Sequence, residues 1–118
     1  MGLQSVSFIA TGSYLPDTVV TNADMEKLVD TNDEWIFSRT GIRERRRMAP
    51  EQTVSDMGVA AARRAIEAAG IDPAEIDLII AASFTADLAF PPLAAMIPLE
   101  LGAHRAAALD PNAVYSGF

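Results

Sequence analysis

The chain has 118 residues, half of them hydrophobic, with 9 Lys and Arg against 16 Asp and Glu, a net charge of −7 and no Cys. That length is one domain or part of one, and the acidic balance argues against general affinity for nucleic acid. Disulfides, thiolate zinc sites and a cysteine nucleophile are excluded by the missing Cys, and no apolar run approaches a membrane span.

The opening "MGLQSVSFIA" has no basic leader, and Val6 stands where a myristoylation signal wants Ser or Thr. A cytoplasmic protein is expected. Residues 3–10 alternate and predict a strand. "TGSYLPDTVV" reads as a loop broken by Gly12 and Pro16. Asn22 is placed to cap a short helix to about Val29. Thr31 opens "TNDE", a capping-box pattern with Glu34, for a helix to about Arg39 that Gly41 ends in the left-handed region.

Residues 53–69 give the clearest helical signal. Thr53 and Asp56 suit its N-terminus. Val54, Met57, Gly58, Ala61, Ala62, Ala65 and Ala69 fall on one face, and Gly70 follows. So small a stripe predicts close approach to a neighbour. "IDPAEI" predicts one short turn with Pro73 at its start. "DLIIAASF" barely alternates, as strands of covered parallel sheets do. After the loop "TADLAFPP" comes a helix through "LAAMIPLELG", which Pro98 is expected to kink or split. "RAAALD" is a last short strand, with Pro111 tolerable if that strand is an edge. The order is α/β.

Five of the nine basic residues lie between Arg39 and Arg47. One reading is a solvated loop with partial pairing to Glu44 and Glu51. The other is chemical. Trp35 and Arg39, four apart on a helix, share a face, and an indole beside a guanidinium can stack an aromatic ring such as adenine. The arginines beyond can meet phosphates. His104, the one histidine, reads as an ordinary surface residue in a loop.

"TGSYLP", "TNAD", "DTNDEWI", "RTGIRERR", "AIEAAGI", "DLIIAAS" and "AFPPLAA" occur in this order. Together they resemble the N-terminal half of the β-ketoacyl-acyl carrier protein synthase III family, condensing enzymes that initiate bacterial fatty-acid synthesis. The resemblance implies a thiolase-like fold, with residues 1–118 forming one α/β half whose mixed sheet is packed by helices. The C-terminal half, with the family's catalytic His and Asn, is absent from this sequence. The resemblance also implies a homodimer; the net charge argues against a nucleic-acid partner and the short apolar runs against a membrane.

The implied chemistry is acyl transfer from acyl-CoA to a cysteine, then decarboxylative condensation with malonyl-acyl carrier protein. It needs no cofactor, coenzyme A thioester being substrate. By position, Trp35 stacks the adenine of coenzyme A. Arg39, Thr31 and Thr40 hold the nucleotide end. Phe90 reaches across the dimer to close the partner's acyl pocket, and the arginine-rich stretch steers the acidic carrier protein. Tyr115 occupies the position of the nucleophilic Cys, at the start of a helix. A phenol ionising near pH 10 is a poor substitute for a thiol, and its bulk would plug the acyl tunnel. Ser116 is one residue out of phase, a rotation of roughly 100° on a helix. These departures keep open a second reading, a non-catalytic α/β module that binds CoA or a partner. A third, an anion- or nucleic-acid-binding domain using Arg39 to Arg47, is disfavoured by the acidic total.

Overall fold

A computed structural model describes residues 6–116, with Tyr115 described by its backbone alone. The chain divides into two compact units, one of Leu15–Gln52 and one combining Met1–Tyr14 with Thr53–Phe118.

In the Leu15–Gln52 unit, β1 (Thr18–Thr21) pairs antiparallel with β2 (Glu44–Arg47), Thr18 opposite Arg47 and Thr21 opposite Glu44. The expected loops at both places are therefore corrected to strands. β-Branched "TVVT" favours extended backbone, and the arginine run supplies its partner. α1 (Asn22–Glu26) is shorter than expected and is capped by Thr21, not Asn22. The Thr21 hydroxyl accepts the Asp24 amide at 3.2 Å, and the Asp24 carboxylate accepts the Thr21 amide at 3.0 Å. Asn22 is 2% exposed and its side chain works elsewhere.

α2 (Asp33–Thr40) ends as expected at Gly41, with φ 69°. Its cap is Asn32 rather than Thr31: Asn32 Oδ1 accepts the Trp35 amide at 2.8 Å. Asn outranks Thr as a cap. The Asp33 amide donates instead to Glu26 at 2.9 Å, tethering α2 to α1.

In the other unit, α3 (Val54–Ala69) has the expected capping box between Thr53 and Asp56 and ends at Gly70, φ 66°. α4 (Leu93–Leu101) packs on its small-residue face: a Cβ placed on Gly58 would lie 3.2 Å from Ile97 Cδ1. The core is Val59, Ala81, Leu93, Ala94, Ile97, Leu101 and Ala103. α4 is not split at Pro98, whose carbonyl accepts the Ala103 amide at 2.9 Å. One missing amide donor is absorbed by a helix whose face is buried.

β3 (Leu78–Ile80) pairs parallel with β4 (Ala107–Leu109), Leu78 opposite Ala107. Both strands are shorter than expected. β3 is not covered on both faces: Leu78 and Ile80 are exposed and Ile79 is half-buried. Among the described residues helices cover one side only. Mixed pairing is present, divided between two sheets.

The strand expected over residues 3–10 is corrected for its described part. Residues 6–10 form no strand, and Val6 and Phe8 are fully exposed, so no burial rewards pairing there. Residues 3–5 lie outside the described residues. Gly12 then lays its backbone directly on α3.

A candidate nucleotide groove

A groove of about 510 Å³ opens in the Leu15–Gln52 unit. Met25 and Val29 line one part of it, with Asp30, Thr31 and Asn32 from the connection into α2, Trp35 and Ile36 from α2 itself, and Arg45 from β2. Its walls are fixed from beneath by Asn22. The Asn22 amide nitrogen donates to Asp33 Oδ1 at 2.7 Å and to the Ile42 carbonyl at 2.8 Å. Its Oδ1 accepts from Arg45 Nη2 at 2.7 Å, and its backbone amide donates to the Arg43 carbonyl at 3.1 Å. One buried side chain thus joins the first turn of α2, the turn after it, and β2. Fully satisfied buried networks of this kind hold one geometry.

Trp35 is about half exposed at the groove. The Arg39 guanidinium sits over its ring at 5.1 Å from the centroid, the shared face expected from their spacing. That separation leaves no room for another ring between them. Arg39 therefore covers one face of the indole. Thr31 Oγ1 is buried and has no hydrogen-bond partner among the described residues. Such a group costs free energy until something pairs it. Thr40 is not in the groove lining. Its hydroxyl donates to the Ile36 carbonyl at 2.7 Å and accepts the Ile42 amide at 3.1 Å, closing the end of α2.

The arginine stretch is largely exposed, as a solvated segment would be, but its second half is strand β2 rather than loop, and among the described residues no ion pair to Glu44 or Glu51 is seen. Arg43 lies over Phe37 at 3.8 Å and pairs with Asp33 at 3.6 Å. Arg46 donates to the Pro16 carbonyl at 3.2 Å.

No family model matches the chain. Among curated proteins it is 56% identical over 108 residues to β-ketoacyl-[acyl-carrier-protein] synthase III of Xanthomonas axonopodis pv. citri, covering 92% of this chain and 33% of that protein. It is 51% identical over 114 residues to the protein of the same name from Desulfitobacterium hafniense, covering 97% and 34%. The chain resembles β-ketoacyl-[acyl-carrier-protein] synthase III over nearly its whole length. It spans about a third of the length of these relatives.

Solved structures agree. The 3-oxoacyl-[acyl-carrier-protein] synthase III of Aquifex aeolicus superposes with a TM-score of 0.82 at 47% identity, covering 87% of this chain and 33% of that one. A priming β-ketosynthase of a polyketide biosynthetic pathway gives 0.83 at 43%, covering 94% and 35%. The fold is the thiolase-like α/β fold of these synthases, and the resemblance is to a transferase family of condensing enzymes in fatty-acid synthesis.

The remaining positions that the synthase III resemblance singles out lie in the other unit. Phe90 is 84% exposed. His104 is exposed, as expected of a surface residue. Ser116 is exposed, and its amide donates to the Ala113 carbonyl at 2.9 Å. Where the start of a helix is expected, Val114–Ser116 form a 3-10 turn; the residues after it, and the Tyr115 side chain, lie outside the described residues. Val114 has φ 51°, a left-handed conformation that a β-branched residue adopts under strain. Among the described residues no helix is long and apolar enough to cross a membrane, and no cluster of metal-ligating side chains occurs.

Sequence reasoning missed Asn22 and Arg45 as parts of the groove. Asn22 was hidden by its neighbour: in "TNAD" either Thr21 or Asn22 can cap, and only the tertiary contact decides.

Proposed function

We propose that the chain is the coenzyme A-binding part of a fatty-acid-synthesis condensing enzyme, corresponding to a portion of the N-terminal half of the thiolase-like architecture. The family reaction in this reading is acyl transfer from acyl-CoA and then decarboxylative condensation with malonyl-acyl carrier protein, and its first step lacks the family's thiol acceptor here because Tyr115 holds that position. The protein works in the cytoplasm, as a homodimer, without a resident cofactor. The observation that carries the reading is Trp35 half exposed at the groove, backed by Arg39, beside the unpartnered hydroxyl of Thr31.

Each residue has a distinct role. Trp35 stacks the adenine, and Arg39 holds the indole and adds positive charge behind it. The Thr31 hydroxyl hydrogen-bonds the ligand and is relieved of its orphan state. Thr40 shapes the end of α2 rather than touching the nucleotide. Exposed Phe90 is available to reach a partner subunit's acyl pocket. At the position of the family's nucleophile the sequence has Tyr115, a phenol in place of a thiol. This chain therefore binds the thioester without taking its acyl group.

Titration with coenzyme A and with adenine-free pantetheine, following the fluorescence of Trp35, tests the reading. A response to coenzyme A alone is expected. An equal response to pantetheine removes the stacking assignment.

The second reading, a non-catalytic CoA- or partner-binding module, draws on the same groove and on Tyr115. It differs in the parent protein. Intact mass after incubation of the full-length protein with acetyl-CoA separates the two: a covalent acetyl adduct favours the enzyme.

A further inference from the structure

The five arginines from Arg39 to Arg47 point to different duties. Arg39 and Arg43 are laid on aromatic rings, and Arg46 holds a backbone carbonyl. Arg45 alone among them lines the groove, half-buried beside Thr31 and Trp35. Its guanidinium is already oriented. Nη2 donates to Asn22 Oδ1 at 2.7 Å, and Nη1 reaches the Val20 carbonyl at 3.4 Å. Asn22 cannot turn its amide over, because its nitrogen faces two acceptors, Asp33 Oδ1 and the Ile42 carbonyl. A guanidinium has more donors than these two bonds consume, so Arg45 retains N–H groups for a ligand.

We infer that Arg45, aimed by Asn22, binds a phosphate of the nucleotide whose base Trp35 stacks. The inference rests on the adenine-stacking reading above and adds a second contact to it. Arginine suits this contact, because its charge is permanent and its planar fork matches phosphate oxygens. Asp30 lies on the same groove and repels an anion, so the attraction is confined to the neighbourhood of Arg45. Asn22 touches Arg45 and not the ligand; it is a positioning residue.

The test compares adenosine with ADP, each titrated against Trp35, the chain's one tryptophan. ADP should bind the unaltered chain about tenfold more tightly, the worth of one charge-assisted hydrogen bond. Arg45→Gln should bring ADP down to the adenosine level, with adenosine affinity held within about twofold. Arg45→Lys keeps the charge without the fork and should fall between. Asn22→Ala should shrink the ratio of ADP to adenosine affinity, and adding it to Arg45→Gln should shrink that ratio no further. Unchanged adenosine binding reports an intact groove in the two Arg45 variants; Asn22→Ala, which also releases Asp33 and the Ile42 carbonyl, is read by the ratio alone.

Equal loss of adenosine and ADP affinity in both Arg45 variants would make Arg45 structural and overturn the inference. So would an ADP preference that survives both. If the unaltered chain binds adenosine and ADP equally, the stacking reading stands and this inference alone fails. If it binds neither, both fall together.

Discussion

Asp110 Oδ2 accepts the Leu93 amide hydrogen at 2.6 Å, and Asp110 Oδ1 accepts that of Ala94 at the same distance. A residue just beyond β4 thereby caps α4, whose own N-cap, Pro92, has no side-chain acceptor to offer. α3 is served the same way: Asp87 accepts the amides of Val54 and Ser55 at 2.6 and 2.9 Å.

Asp110→Ala should cost about 1–2 kcal/mol of stability, the range for losing a helix cap. Asp110→Asn keeps one acceptor oxygen and should cost less. Urea unfolding of the three proteins checks the order. Identical midpoints would mean that water caps α4 equally well.

Gly12→Ala should be far more damaging. A Cβ there would fall 2.5 Å from the Ala65 amide nitrogen and closer still to the Ala61 carbonyl oxygen. Both are helix backbone and cannot step aside, so the segment must lift off α3. Overpacking of this kind costs about 1–3 kcal/mol or more. Circular dichroism melts would show it, whereas an unchanged melting temperature would mean that residues 12–14 do not pack on α3.

Stability should fall in acid. Asp24 is held well below its ordinary value by the hydrogen bond from Lys27 and then by those of Thr21. Asp56 is lowered by Thr53. Burial pushes Asp87 up, but the Ser55 hydroxyl and the Ser55 and Val54 amides outweigh it and leave it lowered. A carboxyl depressed in the folded state is protonated more readily in the unfolded one. Its contribution is complete above the unfolded value near 4 and disappears as pH falls through the lower folded value. The urea midpoint should hold from about pH 7 to 5 and drop below about pH 4. Asp87→Asn should weaken the protein at neutral pH and make the acid drop shallower. A midpoint that rises on acidification would contradict the assignment.

Local chemistry made much of this fold legible. Thr53, Asp56 and Gly70 mark both ends of α3, and Gly41 marks the end of α2, because caps and left-handed glycines act within a few residues. The Trp35–Arg39 pair was readable for the same reason, being four apart on one helix. What could not be read is what distant contacts decide. "RERRR" has the charge of a loop and becomes β2 only because "TVVT" pairs with it. Asn22 looks like a cap until Asp33, Ile42 and Arg45 converge on it. The duties of Asp87 and Asp110 depend on helices far away in sequence.

Trp35→Ala should weaken coenzyme A binding about tenfold or somewhat more, since stacking a base on an aromatic ring is worth roughly 1–3 kcal/mol. Arg39→Ala should cost less, because Arg39 acts from behind the indole. Equilibrium dialysis with labelled coenzyme A measures both without the lost fluorophore. Wild-type affinity in Trp35→Ala would place the nucleotide elsewhere.

The chain alone should form no covalent acyl adduct with labelled acetyl-CoA and no ketoacyl product with malonyl-acyl carrier protein. Tyr115→Cys restores a thiol but no acid–base partner or oxyanion donor, absences that commonly cost on the order of 10² to 10⁴ in rate. Slow self-acylation without efficient condensation is the expected phenotype. Near-native turnover by that single variant would show that the missing groups are supplied from within these 118 residues.

The carboxylates at the starts of α3 and α4 have one more consequence. The exposed amides and positive dipole end of a helix are where free anions ordinarily settle. Here Asp87 and Asp110 already fill both places, as internal counter-ions supplied by the chain itself. The unit containing Thr53–Phe118 thus presents negative charge at the very points where a phosphate would seek positive. A free anion therefore finds no vacant amides at these two helix ends.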